Sequence, residues 1–335
     1  MNRRRSMLLA SVAGLALGNR VAAQPKPVDR TIRVAIVLST SPVAEMLGPE
    51  PAHPVPRYLL QELRKLGYVE GRNLVLERRS AEGRPERHEP ILAELVALKC
   101  DVIVVITAAI ARAAKKVTAT VPIVFAIAGG GSDPVAAGLV QSLARPGGNI
   151  TGVVPDAGAE IYGKRVELLK QVAPAVRRVA YLGLAQEWDS PSGRSARAAA
   201  KSLGIELFHV VVDPNRYAAA LDSVLHGRAD AILASSHPVH YAHRADIIAF
   251  ASRNRLPAMH AFFLEGGLIA YAQEGTWSWM RVADIIDRIV KGTPPAEIPV
   301  ERPTRFELLI NLRTAKALGL TIPKDVLLRA DRVIE

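Results

Sequence analysis

The sequence predicts an α/β protein with two doubly wound lobes, each a parallel sheet covered by helices on both faces. From Thr31 onward, short runs rich in β-branched residues alternate with longer segments whose apolar residues recur at helical spacing. The chain has 335 residues, and about 312 remain after the first 23, which is enough for two domains with separate cores. Apolar residues make up 49% and charged residues 22%, so disorder and coiled coil are disfavoured.

The first lobe is predicted to contain five strands, because five short apolar runs are separated by segments of helical period. The predicted strands are residues 32–39, 74–80, 101–107, 122–128 and 149–154. The predicted helices between them are residues 55–66, 86–98 and 110–117. A further helix is predicted with Asp133 as its N-cap, Pro134 in its first position and the segment "RPGGN" as its end.

A second series of alternating strands and helices predicts the second lobe. Its predicted strands are residues 177–185, 205–212, 230–236, 257–262 and 267–272. Its predicted helices are residues 160–172, 192–203, 217–225 and 243–253. A long amphipathic helix at 279–291, a proline-rich stretch, a strand from Phe306 and a short helix complete the chain. Because ordered elements resume beyond the proline-rich stretch, we interpret it as a crossing between lobes.

Residues 1–23 have the layout of a signal peptide. A basic start precedes an apolar run at residues 7–17, and the small residues Val21 and Ala23 place cleavage near Ala23. The apolar run is shorter than the roughly 20 residues needed to cross a bilayer. We therefore expect a soluble periplasmic protein without a permanent membrane anchor, and the general and twin-arginine export routes both remain open.

The predicted elements divide the rest of the chain between the lobes. The N-terminal lobe is predicted to comprise residues 30–150 and about 276–296. The C-terminal lobe is predicted to comprise residues 155–272 and about 305–335.

Composition and motifs exclude several classes of function. The single cysteine, Cys100, excludes a disulfide framework and any multi-cysteine metal site. The net charge is +11, but basic residues alternate with acidic ones, so no nucleic-acid partner is expected. The chain has neither a nucleotide-binding glycine motif nor a nucleophile elbow, so we expect no cofactor and no enzyme. His237, His240 and His243 recur every third residue, but Pro238 interrupts the helical face that a zinc site would use, and we predict no metal.

Ligands of open α/β sheets bind at the carboxyl ends of strands, and this rule selects the candidate ligand-binding residues. Those of the first lobe are Ser39, Thr40, Ser41, Thr107, Ala108, Ser132 and Asp133. Those of the second lobe are Trp188, Ser235, Ser236 and Phe262. The glycines of "AGGGSDP" suit either an anion or a tight turn. Capping or core packing remains an equally open role for each residue, and only the set predicts a cleft.

Three stretches carry a resemblance to a known family: "DPVAAGLVQSLARPGGNITGV", "EGGLIAYA" and "PVERPTRFELLINLRTAKALGLTIPKDVLLRADRVIE". With them, the chain resembles ABC transporter substrate-binding proteins of the group that includes the tryptophan/tyrosine uptake component. The resemblance covers essentially the whole chain after residue 23. It implies a type I periplasmic-binding fold, in which two lobes are joined by a three-segment hinge and the ligand lies between them.

The resemblance also implies a function. We expect a monomer that captures a small organic solute by closing its lobes and delivers it to a membrane permease with a partner ATPase. The loops "STSPVAEMLGPEPAHPV" and "GLAQEWDSP" depart from the relatives, so the identity of the solute does not follow from the resemblance. An amino acid or an aromatic compound is the family-level expectation. Two alternatives remain: a periplasmic sensor that presents its closed form to a membrane receptor, and an exported α/β enzyme.

Overall fold

The computed structural model describes residues 28–126, 133–154, 158–263, 265–273, 276–303 and 305–335. The predicted signal peptide, residues 1–23, and the candidate Ser132 lie outside the described residues. No helix in the described part of the chain is both long and apolar enough to cross a membrane.

The first lobe is a five-stranded sheet in which every neighbouring pair is parallel. Its strands are β1 (Ile32–Leu38), β2 (Leu74–Ser80), β3 (Val102–Val105), β4 (Ile123–Ala126) and β5 (Ile150–Val153). Its helices between strands are α1 (Pro54–Lys65), α2 (His88–Ala97) and α3 (Ala108–Val117). The order is β2-β1-β3-β4-β5, and the central strands are apolar along their whole length because helices cover both faces.

The second lobe is a seven-stranded sheet, and the predicted fold class is confirmed. Its strands are β6 (Arg178–Gly183), β7 (Glu206–Val211), β8 (Ala231–Ala234), β9 (Ala258–His260), β10 (Ile269–Gln273), β11 (Phe306–Asn311) and β12 (Arg332–Ile334). The helices from residue 160 onward are α4 (Glu160–Val172), α5 (Pro191–Ser202), α6 (Tyr217–His226), α7 (Pro238–Ala242), α8 (Arg244–Arg253), α9 (Trp277–Val290), α10 (Leu312–Ala317) and α11 (Lys324–Leu327).

The order in the second sheet is β12-β11-β10-β9-β8-β6-β7, and β10 and β11 pair antiparallel. This sheet is therefore mostly rather than wholly parallel. The short strand β12 adds to its edge. Sequence reasoning missed this strand because three residues with an exposed arginine carry no strand pattern.

Helix α9 follows strand β10 of the second lobe but packs in the first. Val282 and Ile286 share a hydrophobic cluster with Leu59 and Leu63 of α1. After α9, Glu301 runs beside β5, where its carbonyl accepts from the Val154 amide at 2.9 Å. The chain thus passes between the lobes three times: from β5 to α4, from β10 to α9, and from α9 to β11.

The helix predicted after Asp133 is wrong. The Asp133 carboxylate accepts from the amides of Val135 at 2.9 Å and Ala136 at 3.3 Å, as an N-cap would. Residues 134–138 nevertheless form turns, and Gly138 has a φ of +67°, which ends any helical course. The Asp133 cap therefore stabilises a turn.

Candidate ligand-binding cleft

A cavity of about 260 Å³ lies between the two lobes. The first lobe lines it mainly with the starts of α1 and α9. The second lobe lines it with α4, α7, strand β10 and the segments that follow β8 and β9. A site between two lobes changes shape when they move, which is what a clamp requires.

The start of α1 forms one wall of the cavity, and its sequence "HPVPRY" explains why the helix begins there. His53 is the N-cap, and its Nδ1 accepts from the Val55 amide at 3.2 Å. Pro54 takes the first helical position, where its missing N–H costs nothing. Arg57 and Tyr58, one turn on, then line the cavity.

His53 is held neutral at the lobe interface. Burial and the charges of Arg244 and Arg57 lower the pKa of His53 to about 3. Because Nδ1 accepts a hydrogen bond, the ring proton lies on Nε2. The imidazole packs edge-on against Tyr241 of the second lobe, with ring centroids 5.1 Å apart.

A buried arginine forms the floor on the side of the second lobe. Arg165 in α4 is 1% exposed, and its Nε donates to the Tyr271 carbonyl at 2.9 Å. Its Nη1 donates to Ser236 Oγ at 2.8 Å. The Tyr162 ring lies under the guanidinium at 5.0 Å, and the Tyr162 hydroxyl donates to Ser236 Oγ at 2.9 Å. These contacts fix both Arg165 and Ser236, which line the cavity.

Behind Ser236, a second buried network supports the same loop. Ser235 Oγ donates to Glu187 Oε2 at 2.9 Å and lies 3.1 Å from His240 Nε2. The hydroxyl has one proton, so His240 Nε2 donates to it, and His240 Nδ1 accepts from Tyr217 at 2.8 Å. Burial lowers the pKa of His240 to about 3. In this arrangement the imidazole is a donor to Ser235, so it does not act as the base that a serine nucleophile requires.

Five described aromatic side chains line the cavity. Tyr58 and Trp279 come from the first lobe, and Tyr241, Phe262 and Phe263 come from the second. The Tyr241 and Phe262 rings meet edge to face at 6.2 Å. Such a wall offers a large apolar contact area to a flat ligand, and binding immobilises few side-chain torsions of the protein.

The structure brings two of the eleven candidate residues, Ser236 and Phe262, to the cavity. The candidates that do not line it are Ser39, Thr40, Ser41, Thr107, Ala108, Asp133, Trp188 and Ser235.

The candidates away from the cavity have other surroundings. Thr107 caps α3 by accepting from the Ile110 amide at 3.3 Å. Trp188 stacks on His209 with centroids 5.1 Å apart and lies under the Arg197 guanidinium. Ser39 is buried and its hydroxyl has no partner among the described residues. Contact of any candidate with a solute stays a prediction.

Sequence reasoning missed most of the polar lining. His53 and Arg57 lie at a helix start rather than at a strand end, and Arg165 lies mid-helix, where an arginine ordinarily indicates a solvated face. One available signal was Arg165 lying between Tyr162 and Val166 on a helix whose other residues at that spacing are apolar.

The three histidines tested for a metal have separate partners. His237 caps α7 through the Val239 amide, His240 lies in the network of Ser235, and His243 contacts Asp246 at 3.0 Å. Among the described residues, no group of three metal-ligating side chains converges.

Comparison with known proteins identifies the family. The model of the family described as ABC transporter substrate binding protein matches residues 57–334. The chain therefore belongs to the ABC transporter substrate-binding protein family, as the resemblance predicts.

One relative in sequence and two solved structures are similar to this chain. A tyrosine-binding protein of Clostridioides difficile (strain R20291) is 24% identical over 265 residues, covering 78% of this chain and 75% of the relative. A conserved domain protein from Vibrio cholerae superposes with a TM-score of 0.77 at 26% identity, over 91% of this chain and all of the other. A Streptococcus pneumonia ABC domain in complex with L-Trp gives 0.75 at 23% identity, with the same coverage.

Proposed function

We propose that this chain is the exported solute-binding component of an ABC importer, which captures a small aromatic solute bearing a carboxylate and delivers it to a membrane permease. The observation that carries the proposal is the cavity between the lobes, lined by five aromatic side chains and by Arg57. The relatives support the solute class, since one is a tyrosine-binding protein and another was solved with L-Trp.

Arg57 is the candidate anchor for the carboxylate. It is half-buried at the cavity, and its guanidinium forms no ion pair within the described chain. It lies over the Tyr58 ring at 5.4 Å, which holds it without neutralising it. A carboxylate in the cavity would supply the missing opposite charge, and an arginine can bind it through two parallel hydrogen bonds.

Capture needs no covalent step. Because both lobes contribute to the lining, a solute contacts both walls only when the lobes are closed, and it favours closure by its differential affinity for the two forms. Binding in the micromolar range corresponds to about −8 kcal/mol. Most of that free energy would come from burial on the aromatic wall, while Arg57 and His53 would orient the polar end.

Export completes the proposed role. The basic and apolar halves of residues 1–23 support secretion, and release near Ala23 leaves the two lobes free outside the cytoplasm.

A ligand panel tests the proposal. We expect L-tryptophan, L-tyrosine or benzoate to raise the melting temperature of the purified chain. At a hundredfold excess over Kd, the free energy of unfolding should increase by about 2.7 kcal/mol. Benzyl alcohol retains the ring without the charge, and glutamate retains the carboxylate without the ring, so both should stabilise far less. Equal stabilisation by either control, or none by the aromatic carboxylates, contradicts the proposed solute class.

Two further measurements separate the importer from its alternatives. Mass spectrometry of the released solute should return it unchanged, whereas an enzyme would convert it. Cells lacking this chain should lose high-affinity uptake of the solute; intact uptake with loss of a cellular response would indicate a sensor instead.

A further inference from the structure

We propose that four residues outside the cavity, Glu45, Gly83, Asn215 and Arg244, form an interlobe latch that sets solute affinity without touching the solute. The proposal rests on the clamp function proposed above. None of the four lines the cavity, and each contact within the set joins one lobe to the other.

The first latch contact joins the loops after β2 and β7. Asn215 Nδ2 donates to the Gly83 carbonyl at 3.2 Å. The backbone N–H of Asn215 donates to Asp213 Oδ1 at 2.9 Å, and this bond fixes the turn that carries the Asn215 side chain. A Cβ placed on Gly83 would lie 2.8 Å from Asn215 Oδ1, so a methyl group at this position would displace the Asn215 side chain from its hydrogen bond.

The second latch contact is an ion pair. Glu45, in the 3-10 turn after β1, has its Oε2 at 3.4 Å from Arg244 Nη2 at the start of α8. Arg244 is held in place independently, because Nη1 donates to the Tyr241 carbonyl at 3.1 Å and the guanidinium lies over the Tyr241 ring at 4.7 Å. Tyr241 itself lines the cavity, so this contact is continuous with the site.

Contacts of this kind change the solute affinity because they shift the equilibrium between the open and closed arrangements of the two lobes. A contact that exists only in the closed form raises the closed fraction, whatever solute is bound. The apparent Kd is the intrinsic Kd divided by the fraction of the chain that is competent to bind. A single exposed hydrogen bond or ion pair is worth about threefold to tenfold in such an equilibrium. The latch residues therefore tune affinity by stabilising closure, and they do not choose the solute.

Matched glycine variants of the full chain test the first contact. Gly83 has a φ of +81°, so Gly83→Ala strains its loop as well as disturbing Asn215. Gly71 has a φ of +80° in the same lobe, and nothing lies within 4 Å of a Cβ placed there. Gly71→Ala therefore carries the same backbone strain without the interlobe effect, and Asn215→Ala removes the hydrogen bond with no strain at Gly83.

The ion pair has its own control. Glu45→Gln removes the charge that faces Arg244, while Asp325→Asn removes the partner of Arg329 at 3.3 Å within the second lobe. Both changes neutralise one carboxylate that pairs with an arginine, but only the first acts between lobes.

The readouts are the Kd and dissociation rate for L-tyrosine and benzoate, and the X-ray scattering of the solute-free chain. We expect Gly83→Ala, Asn215→Ala and Glu45→Gln to weaken both solutes about threefold to tenfold, chiefly through faster dissociation, and Gly71→Ala and Asp325→Asn to match the wild type. A larger loss for one solute than for the other would contradict the latch, and so would latch variants that bind as tightly as the controls.

Scattering separates this inference from the proposed function. If neither solute binds the wild-type chain, the proposed solute class fails, and the scattering still decides the latch. We expect the latch variants to shift the solute-free chain to a larger radius of gyration than both controls. Identical scattering curves for the latch variants and the controls would overturn the latch.

Discussion

The two walls of the cavity are built in different ways. The wall of the second lobe includes Ser236 and Phe262, which follow strands β8 and β9, as expected for a doubly wound sheet. The wall of the first lobe comes chiefly from the starts of helices α1 and α9. Ser39 and Ser41, which follow β1, are buried away from the cavity.

The segment between β1 and α1 accounts for this difference. It makes a 3-10 turn at Val43–Met46 and folds back, with the His53 amide donating to the Glu45 carbonyl at 2.8 Å. This fold covers the strand end with protein and presents the helix start instead. At β1, the loop after the strand therefore occupies the place where the strand-end rule expects binding residues.

The two walls also differ in the buried contacts that support them. The largest loss of stability is expected from substitution of Arg165. Arg165→Met removes a buried guanidinium that bonds Ser236 and the Tyr271 carbonyl. We expect unfolding free energy to fall by about 3 kcal/mol, measured by urea denaturation, together with loss of solute binding. Lys164→Met, at the half-exposed neighbouring position, is the control and should stay near wild type. Normal stability in Arg165→Met would show that the floor is not held by this side chain.

A pair of serines gives the next largest contrast. Ser235→Ala removes the hydroxyl that bonds the buried Glu187 carboxylate and the His240 imidazole, so we expect a loss of about 2 kcal/mol in unfolding free energy. Ser39→Ala should change stability little, because the Ser39 hydroxyl has no partner among the described residues. Chemical denaturation of both variants checks the contrast, and equal losses would remove the distinction between the walls.

Acid should destabilise the second lobe through its buried histidines. Burial lowers the pKa of His260 to about 4, below the ordinary 6.5, so the folded chain binds fewer protons than the unfolded chain. This stability is fully present above pH 6.5 and is lost as pH falls towards 4. It amounts to about 2 kcal/mol between pH 7 and pH 5.

Substitution of His260 isolates that contribution. Denaturation at pH 7 and pH 5 should show a smaller loss on acidification for His260→Leu than for the wild type. The exposed His226, changed to leucine, is the matched control for replacing an imidazole with an aliphatic side chain. An unchanged pH dependence in His260→Leu would assign the acid sensitivity to the other buried histidines.

The smallest expected effect concerns binding alone. Arg57→Gln should weaken an aromatic carboxylate about tenfold, or roughly 1.4 kcal/mol, while leaving the melting temperature of the solute-free chain unchanged. Arg112→Gln changes the net charge equally from an exposed position away from the cavity. In calorimetric titrations, Arg57→Gln should weaken the binding of benzoate and leave the binding of benzyl alcohol unchanged. Equal losses for both ligands would mean that Arg57 packs against the ring rather than binding the carboxylate.

Much of the fold could be predicted because its signals are local. The strand at Leu74–Ser80 and the helix at Glu160–Val172 have the predicted bounds, since β-branched runs and helical apolar spacing are properties of short segments. The antiparallel pairing of β10 with β11 is set by where the third crossing returns the chain, which no local pattern encodes.

The site was less predictable because its lining depends on distant segments. Phe262 follows a strand and could be selected by rule, whereas Trp279 and His53 line the same cavity only because α9 crosses back to α1. The hydrogen bonds that hold Arg165 in the floor run to Tyr271 and Ser236, which are more than 70 positions away in the sequence. Sequence spacing carries no information about such partners.

The return of α9 to the first lobe also sets an order of assembly. Its apolar residues Val282 and Ile286 cover Leu59 and Leu63, which are made more than 200 residues earlier. A nascent chain cannot cover that face of α1 until the ribosome has passed position 290, when five strands of the other lobe have already been synthesised. The first lobe to be translated is therefore the one that must wait for its last helix, and a chain truncated before that helix would leave an apolar surface open to aggregation.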